Sequence, residues 1–172
     1  MSSRAAGVPV GEELPAQTEN AMDKAMHLLG HRSRSRHEMS RRLLEGGFSE
    51  STVEAVDARL HELGLLDDAA FVREVCRSRS RAGWSSTRIG HDLAYRGVAS
   101  ELIDEGLAEL DQQGISDADR ALKLALSKAR SSCSVPREKA LPRVVRHLYG
   151  KGYESELAWE AARAAFRELD EA

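Results

Sequence analysis

The sequence predicts an all-α fold, an elongated array of three tandem three-helix repeats resembling helix-turn-helix units. Three observations carry that expectation. Beyond residue 20, apolar residues recur at helical spacing almost without interruption, and no stretch alternates apolar and polar residues long enough for a strand. Three glycines, Gly47, Gly97 and Gly152, stand in matching surroundings at separations of 50 and 55 residues. Charge rises and falls with the same rhythm. Composition agrees: aromatics are 5% and hydrophobic residues 41%, so Leu and Ala carry the burial, and both favour helices. Charged residues at 31% suit a repeat array, in which each unit buries only its inner faces.

The elements follow in chain order. Met1 to Asn20 contains Gly7, Pro9, Gly11 and Pro15 without an apolar run, and reads as a disordered lead-in, not a targeting segment. Repeat 1 is placed at 21–66. Its first helix, about Ala21 to Leu29, carries the stripe Met22, Ala25, Met26, Leu29. Its second opens on Ser35 with Glu38 three residues on, a capping box, then carries Met39 and Leu43 and closes at Gly47. The third starts close to Ser49 and carries Val53, Val56, Leu60 and Leu63.

Repeat 2, at 67–113, opens on Leu65-Leu66-Asp67-Asp68. Either Asp67 or Asp68 caps the helix bearing Phe71 and Val75, where acids also suit the helix dipole, or the pair contacts a partner. The cap accounts for both acids on its own. That helix spans Asp67 to Ser80; the next carries Ile89 and Leu93 and ends at Gly97; the last opens near Ser100 and carries Ile103, Leu107 and Leu110. Repeat 3, at 114–172, begins with a helix from Asp117 to Arg130. A longer loop around Ser131 to Lys139 then absorbs the five extra residues, ending at Pro136 with a helix start at Pro142. Leu141, Val144, Val145 and Leu148 follow, then Gly152 and a helix opening near Ser155. An apolar anchor succeeds each glycine: Phe48, Val98 and Tyr153.

The net charge of −3 hides a strong internal alternation. Lys24 to Arg42 holds six Lys or Arg against Glu38, and Arg73 to Arg96 six against Glu74 and Asp92. Arg120 to Lys151 holds nine against Glu138, whereas Val98 to Asp119 has seven acids and no Lys or Arg. Stacked repeats would merge these into a basic and an acidic stripe. Arginine clusters stand out at Arg32, Arg34, Arg36, Arg41 and Arg42, and again at Arg77, Arg79 and Arg81 ahead of Trp84. Arginine forks suit phosphate and carboxylate. With Arg88, Arg96, Lys139, Arg143 and Arg146 these form the candidate partner- or DNA-binding set. Trp84, in a loop beside Gly83, is a candidate stacking residue, while the register of Trp159 with Ala162 and Phe166 assigns it to a core.

Catalytic chemistry finds no constellation of nucleophile, base and orienter. His27, His31 and His37 come closest to a metal cluster, but no Cys or carboxylate completes one. No metal or other cofactor is expected. Cys76 and Cys133 lie far apart within helical patterns, as expected of buried thiols in a reducing compartment. No apolar run is long enough to cross a bilayer, so a cytoplasmic protein is expected; a monomer is expected as well.

These residues resemble the RecX family, regulators of the RecA recombinase. Arg34-Ser35-Arg36-His37-Glu38-Met39 leading to Leu43 and Gly47 carries the likeness in repeat 1. Leu63 to Phe71, with Ile89, Leu93 and Arg96-Gly97-Val98, carries it in repeat 2; repeat 3 is looser. The likeness spans roughly residues 21 to 169. It implies a helical array seated on RecA–DNA filaments that inhibits ATPase, strand exchange and coprotease activity in DNA repair and the SOS response, its basic residues facing the filament or its single- or double-stranded DNA. Arg81-Ala82-Gly83-Trp84 departs from the lysine- and glycine-rich stretch often found there. The alternative expectation is a DNA-binding helical repeat protein with no dedicated recombinase partner.

Overall fold

The computed structural model describes residues 16–114, 116–132 and 134–171. Among them are nine α-helices and no strand: α1 (Ala16–His31), α2 (Arg36–Glu45), α3 (Glu50–Glu62), α4 (Asp68–Arg81), α5 (Ser86–Tyr95), α6 (Ser100–Gln112), α7 (Asp117–Arg130), α8 (Arg137–Tyr149) and α9 (Ser155–Asp170). The chain is an all-α helical repeat. It divides into two compact units, one ending at Leu66 and the other starting at Asp67.

The first unit is a single three-helix repeat. Ala21 and Ala25 of α1, Met39 and Leu43 of α2, and Val53, Val56 and Leu60 of α3 are buried together with Leu66. Ser35 caps α2 as the sequence predicts: its Oγ accepts from the Glu38 amide at 3.1 Å, and the Glu38 carboxylate accepts from the Ser35 amide at 3.4 Å. Asp67, the first residue of the second unit, caps α4 by accepting from the amides of Ala69 and Ala70 at 2.8 and 3.1 Å. Its acidic role there is local and needs no partner.

The second unit holds two repeats. The α4–α6 core gathers Phe71, Val72, Val75 and Cys76 with Ile89, Leu93, Val98, Ile103 and Leu110. The α7–α9 core is alanine-rich, with Ala121, Ala125, Ala129, Ala158, Ala161, Ala162 and Ala165 around Val144, Val145 and Leu148. Those small side chains leave α7 to pack most extensively against α9.

One closure recurs in every repeat. The amides of Phe48, Val98 and Tyr153 donate to the carbonyls of Leu43, Leu93 and Leu148 at 3.2–3.3 Å, and the preceding glycine amides donate to Leu44, Ala94 and Tyr149 at 2.9 Å. This is the Schellman motif. Its glycines take φ of +87°, +73° and +90°. The leucines are fully buried, so the closure fixes both the helix end and the core. The same device ends α3 at Gly64 and α4 at Gly83, which sequence reading had not singled out.

Four details differ from expectation. Helix α1 begins at Ala16, so residues 16–20 of the supposed lead-in are helical, and buried Thr18 and Ala21 show why: the first turns already meet the core. The remainder of the lead-in and Cys133 lie outside the described residues. Helix α8 starts at Arg137, not Pro142, so the preceding loop ends at Pro136. Pro142 is tolerated in the second turn because the carbonyl it leaves unpaired, that of Glu138, is on an exposed residue. Ser100 and Ser155 open α6 and α9 as expected, but as first residues and not as side-chain caps: Ala99 and Glu154 occupy the cap positions without side-chain bonds. Met26 and Leu63, assigned to apolar stripes, are 45% and 50% exposed, Leu63 because the helix has ended there.

Candidate phosphate and partner interface

The cations of the first unit largely meet counter-charges close by. Arg32 grips Glu38 bidentately, Nη1 donating to Oε2 at 3.0 Å and Nη2 to Oε1 at 2.8 Å. Arg36 on α2 reaches across to Asp57 on α3, its Nε donating to the two carboxylate oxygens at 3.2 and 3.1 Å. Arg41 and Arg42 both approach Glu45, at 3.7 and 3.1 Å. Arg34 donates from Nε to the Leu28 carbonyl at 3.3 Å and lines a cleft with Lys24, Arg42 and Glu45. Burial, and then the neighbouring Arg32, pull its guanidinium below the usual arginine value.

In the second unit the central feature is Trp84. Its ring is half-buried against the α4–α6 core, and the guanidinium carbons of Arg79 and Arg88 lie 4.4 and 4.2 Å from its centroid. The indole therefore already carries two cation–π contacts and is not a bare stacking platform. Arg79 also approaches Asp92 at 3.4 Å, and Arg96 meets the same carboxylate at 3.2 Å. Arg77 and Arg81 are exposed and form no ion pair with any described residue.

The Trp84 loop is tied to the α8–α9 turn by backbone and side-chain bonds. The Ser85 amide donates to the Lys151 carbonyl at 3.0 Å, and Ser85 Oγ donates to the Gly152 carbonyl at 2.8 Å. Lys151 Nζ donates to the Ala82 carbonyl at 2.9 Å, and Arg88 donates to that of Gly150. Beside this seam the Ser86 amide donates to Asp117 at 3.0 Å, and Arg120, 5% exposed, pairs with Asp117 and donates to Ser86 Oγ at 2.8 Å. The buried guanidinium is held there by the Asp117 pair and the Ser86 bond. The two repeats of this unit are thus joined by directional bonds as well as packing.

The third repeat differs in how its cations are used. Arg143, Arg146 and His147 occupy one face of α8, and with Lys128 of α7, Gly150 and Lys151 they line an open cleft of about 370 Å³. No carboxylate lines it. Lys128, Arg143 and Arg146 make no ion pair with any described residue. Burial, then Lys128 and Lys151, pull the His147 imidazole below its ordinary value. Lys139 is exposed in the first turn of α8 and lies outside this cleft. Sequence reading selected Arg143 and Arg146 but missed Lys128, His147 and Lys151. The i, i+3, i+4 spacing of residues 143, 146 and 147 was the available signal.

Elsewhere the chemistry is quiet. Cys76 is buried in the α4–α6 core, and desolvation pushes its thiol up to about 11, the opposite of a reactive thiolate. Trp159 packs against the third core, as its register predicts. His27 and His31 approach through their Nε2 atoms at 3.2 Å, and no group of three potential metal ligands occurs among the described residues. No described helix is long and apolar enough to cross a membrane.

Known proteins are similar to the chain in architecture and in sequence. Residues 21–60 match the family model for the first three-helix domain of RecX, and residues 67–107 that for the second. The chain is 37% identical over 150 residues to the regulatory protein RecX of Pelodictyon phaeoclathratiforme, covering 87% of this chain and 88% of the relative. It is 34% identical over 161 residues to that of Mycobacterium avium, covering 91% and 90%. The crystal structure of RecX from Lactobacillus salivarius superposes with a TM-score of 0.69 over 91% of this chain and 98% of that one; at 16% identity this speaks for the fold. With two family domains in tandem and relatives matched over nearly their full length, the chain belongs to the RecX family of regulatory proteins.

Proposed function

We propose that this protein is a non-catalytic regulator that binds RecA–DNA filaments and inhibits their ATPase, strand-exchange and coprotease activities, and so acts in DNA repair and the SOS response. The full-length relationship to regulatory proteins named RecX is the observation that carries this reading. The charge layout supports it. Exposed cations on α4, α7 and α8 offer contacts to phosphate, while α6 is acidic through Glu101, Asp104, Glu105 and Glu109 and would meet basic protein surface. In this reading Arg41 and Arg42 exchange Glu45 for filament groups at small cost because exposed pairs are weak, while Arg32, Arg34 and Arg36 take part from within their contacts to Glu38, the Leu28 carbonyl and Asp57. Arg77, Arg81, Lys139, Arg143 and Arg146 are available without exchange.

The test is ATP hydrolysis by RecA on single-stranded DNA, titrated with this protein. Inhibition that saturates near stoichiometry with filament sites is expected. An unchanged rate at a several-fold excess overturns the proposal. A plain DNA-binding protein is favoured by the uncompensated cleft of the third repeat, but the overall charge of −3 and the acidic α6 oppose coating DNA as a sole role.

A further inference from the structure

We infer that the cleft formed by Lys128, Arg143, Arg146, His147 and Lys151 is a binding site for the phosphodiester backbone of a nucleic acid strand, and the anchor through which the third repeat holds DNA.

The first ground is the contrast in pairing. In the first two repeats most arginines of the candidate set have an anionic or carbonyl partner within the fold: Glu38 for Arg32, Asp57 for Arg36, Glu45 for Arg41 and Arg42, and Asp92 for Arg79 and Arg96. In the cleft Lys128, Arg143 and Arg146 converge with no carboxylate to offset them, beside Lys151, whose Nζ also donates to the Ala82 carbonyl. Like charges gathered without a counter-ion repel; burial first, and then Lys128 and Lys151, hold the His147 imidazole below its ordinary value. The missing partner is an anion.

The second ground is the kind of anion. Each internal carboxylate here is met by one or two guanidinium groups, and a planar carboxylate is well served by such a fork. The cleft instead offers two guanidinium groups and two ammonium groups around an opening of about 370 Å³, more donors than one carboxylate accepts. Phosphate oxygens accept from several directions, and successive phosphates distribute the remaining charge.

This deepens the filament-binding proposal by naming where nucleic acid is held, yet it is tested without RecA, so failure of either is visible separately. The measurement is fluorescence anisotropy of a labelled 20-nucleotide oligo(dT) with the full chain, over a range of salt concentrations. The variant Lys128→Ala/Arg143→Ala/Arg146→Ala should bind about tenfold or more weakly, and the slope of log affinity against log salt should shrink by about 2. Arg59→Ala, which removes a charge already paired with Glu62, should stay within about twofold of the unaltered chain. All substituted side chains are exposed or half-buried at the surface, and an unchanged helical circular dichroism spectrum confirms folding. Equal loss in both variants, or none in the cleft variant, overturns the site. Displacement of the oligonucleotide by poly-glutamate at matched charge overturns the phosphate assignment in favour of an acidic protein partner. Displacement by millimolar pyrophosphate, with the salt slope unaffected by the substitutions, overturns the strand assignment in favour of a small phosphate.

Discussion

At the scale of single residues, binding turns on where each cation finds its counter-charge. Arg32 and Glu38 form part of a cap: the carboxylate serves both the guanidinium and the Ser35 amide, so it joins helix start and ion pair in one place. Replacing Ser35 by Ala should cost about 1 kcal/mol, seen as a lower melting temperature in thermal unfolding. Replacing Arg41 should change stability by only a few tenths of a kcal/mol, since its pair is long and exposed. His147 adds a pH signature. Burial, then Lys128 and Lys151, hold its folded-state value below 6.5, so as pH falls the unfolded chain takes up the proton first. The neutral imidazole's contribution is intact above that value and is lost as pH drops through it, the loss levelling once the folded group also titrates. Thermal unfolding should therefore show a smaller loss of stability on going from about pH 7 to pH 5 in His147→Gln than in the unaltered chain. An equal loss in both would contradict this environment.

At the scale of elements, the glycine closures had the clearest sequence signal, because helix end, buried leucine and following apolar anchor occupy fixed offsets in a local motif. Leu43–Gly47–Phe48, Leu93–Gly97–Val98 and Leu148–Gly152–Tyr153 therefore appear in the structure as read. The ion pairs were hidden for the opposite reason. Arg36 meets Asp57, and Arg79 meets Asp92, only after helices pack, and no local pattern encodes that meeting. The basic cleft was half visible: the spacing of Arg143, Arg146 and His147 was there, but Lys128 joins from α7 across the loop. The closures also differ in their surroundings. A Cβ at Gly152 would lie 2.6 Å from Arg88 Cβ and 2.7 Å from Ser85 Oγ, whereas one at Gly47 meets nothing within 4 Å. Both positions have φ near +90°, so Gly47→Ala should cost about 1 kcal/mol in backbone strain, and Gly152→Ala about 2–3 kcal/mol as the seam with the Trp84 loop is forced apart. Chemical denaturation of the two variants checks the order; equal effects would mean that the seam yields freely.

At the scale of the molecule, repetition is a device for area, and each repeat spends its charges differently. The first two repeats bear the family motifs, and many of their arginines are paired internally; the third, less typical in sequence, pairs Arg120 with Asp117 and Arg137 with Asp170 but gathers Lys128, Arg143 and Arg146 in a cleft without a carboxylate. The bonds from Ser85, Lys151 and Arg88 make the second and third repeats one unit, so the Trp84 loop and the basic cleft present together. A bare DNA binder and a filament regulator share that basic surface, and they part on whether RecA adds to the affinity. Co-sedimentation with preformed RecA–single-stranded DNA filaments, set beside the same DNA without RecA at physiological salt, decides between them. The account predicts retention on the filament at protein concentrations where bare DNA retains little; equal retention on both would contradict it.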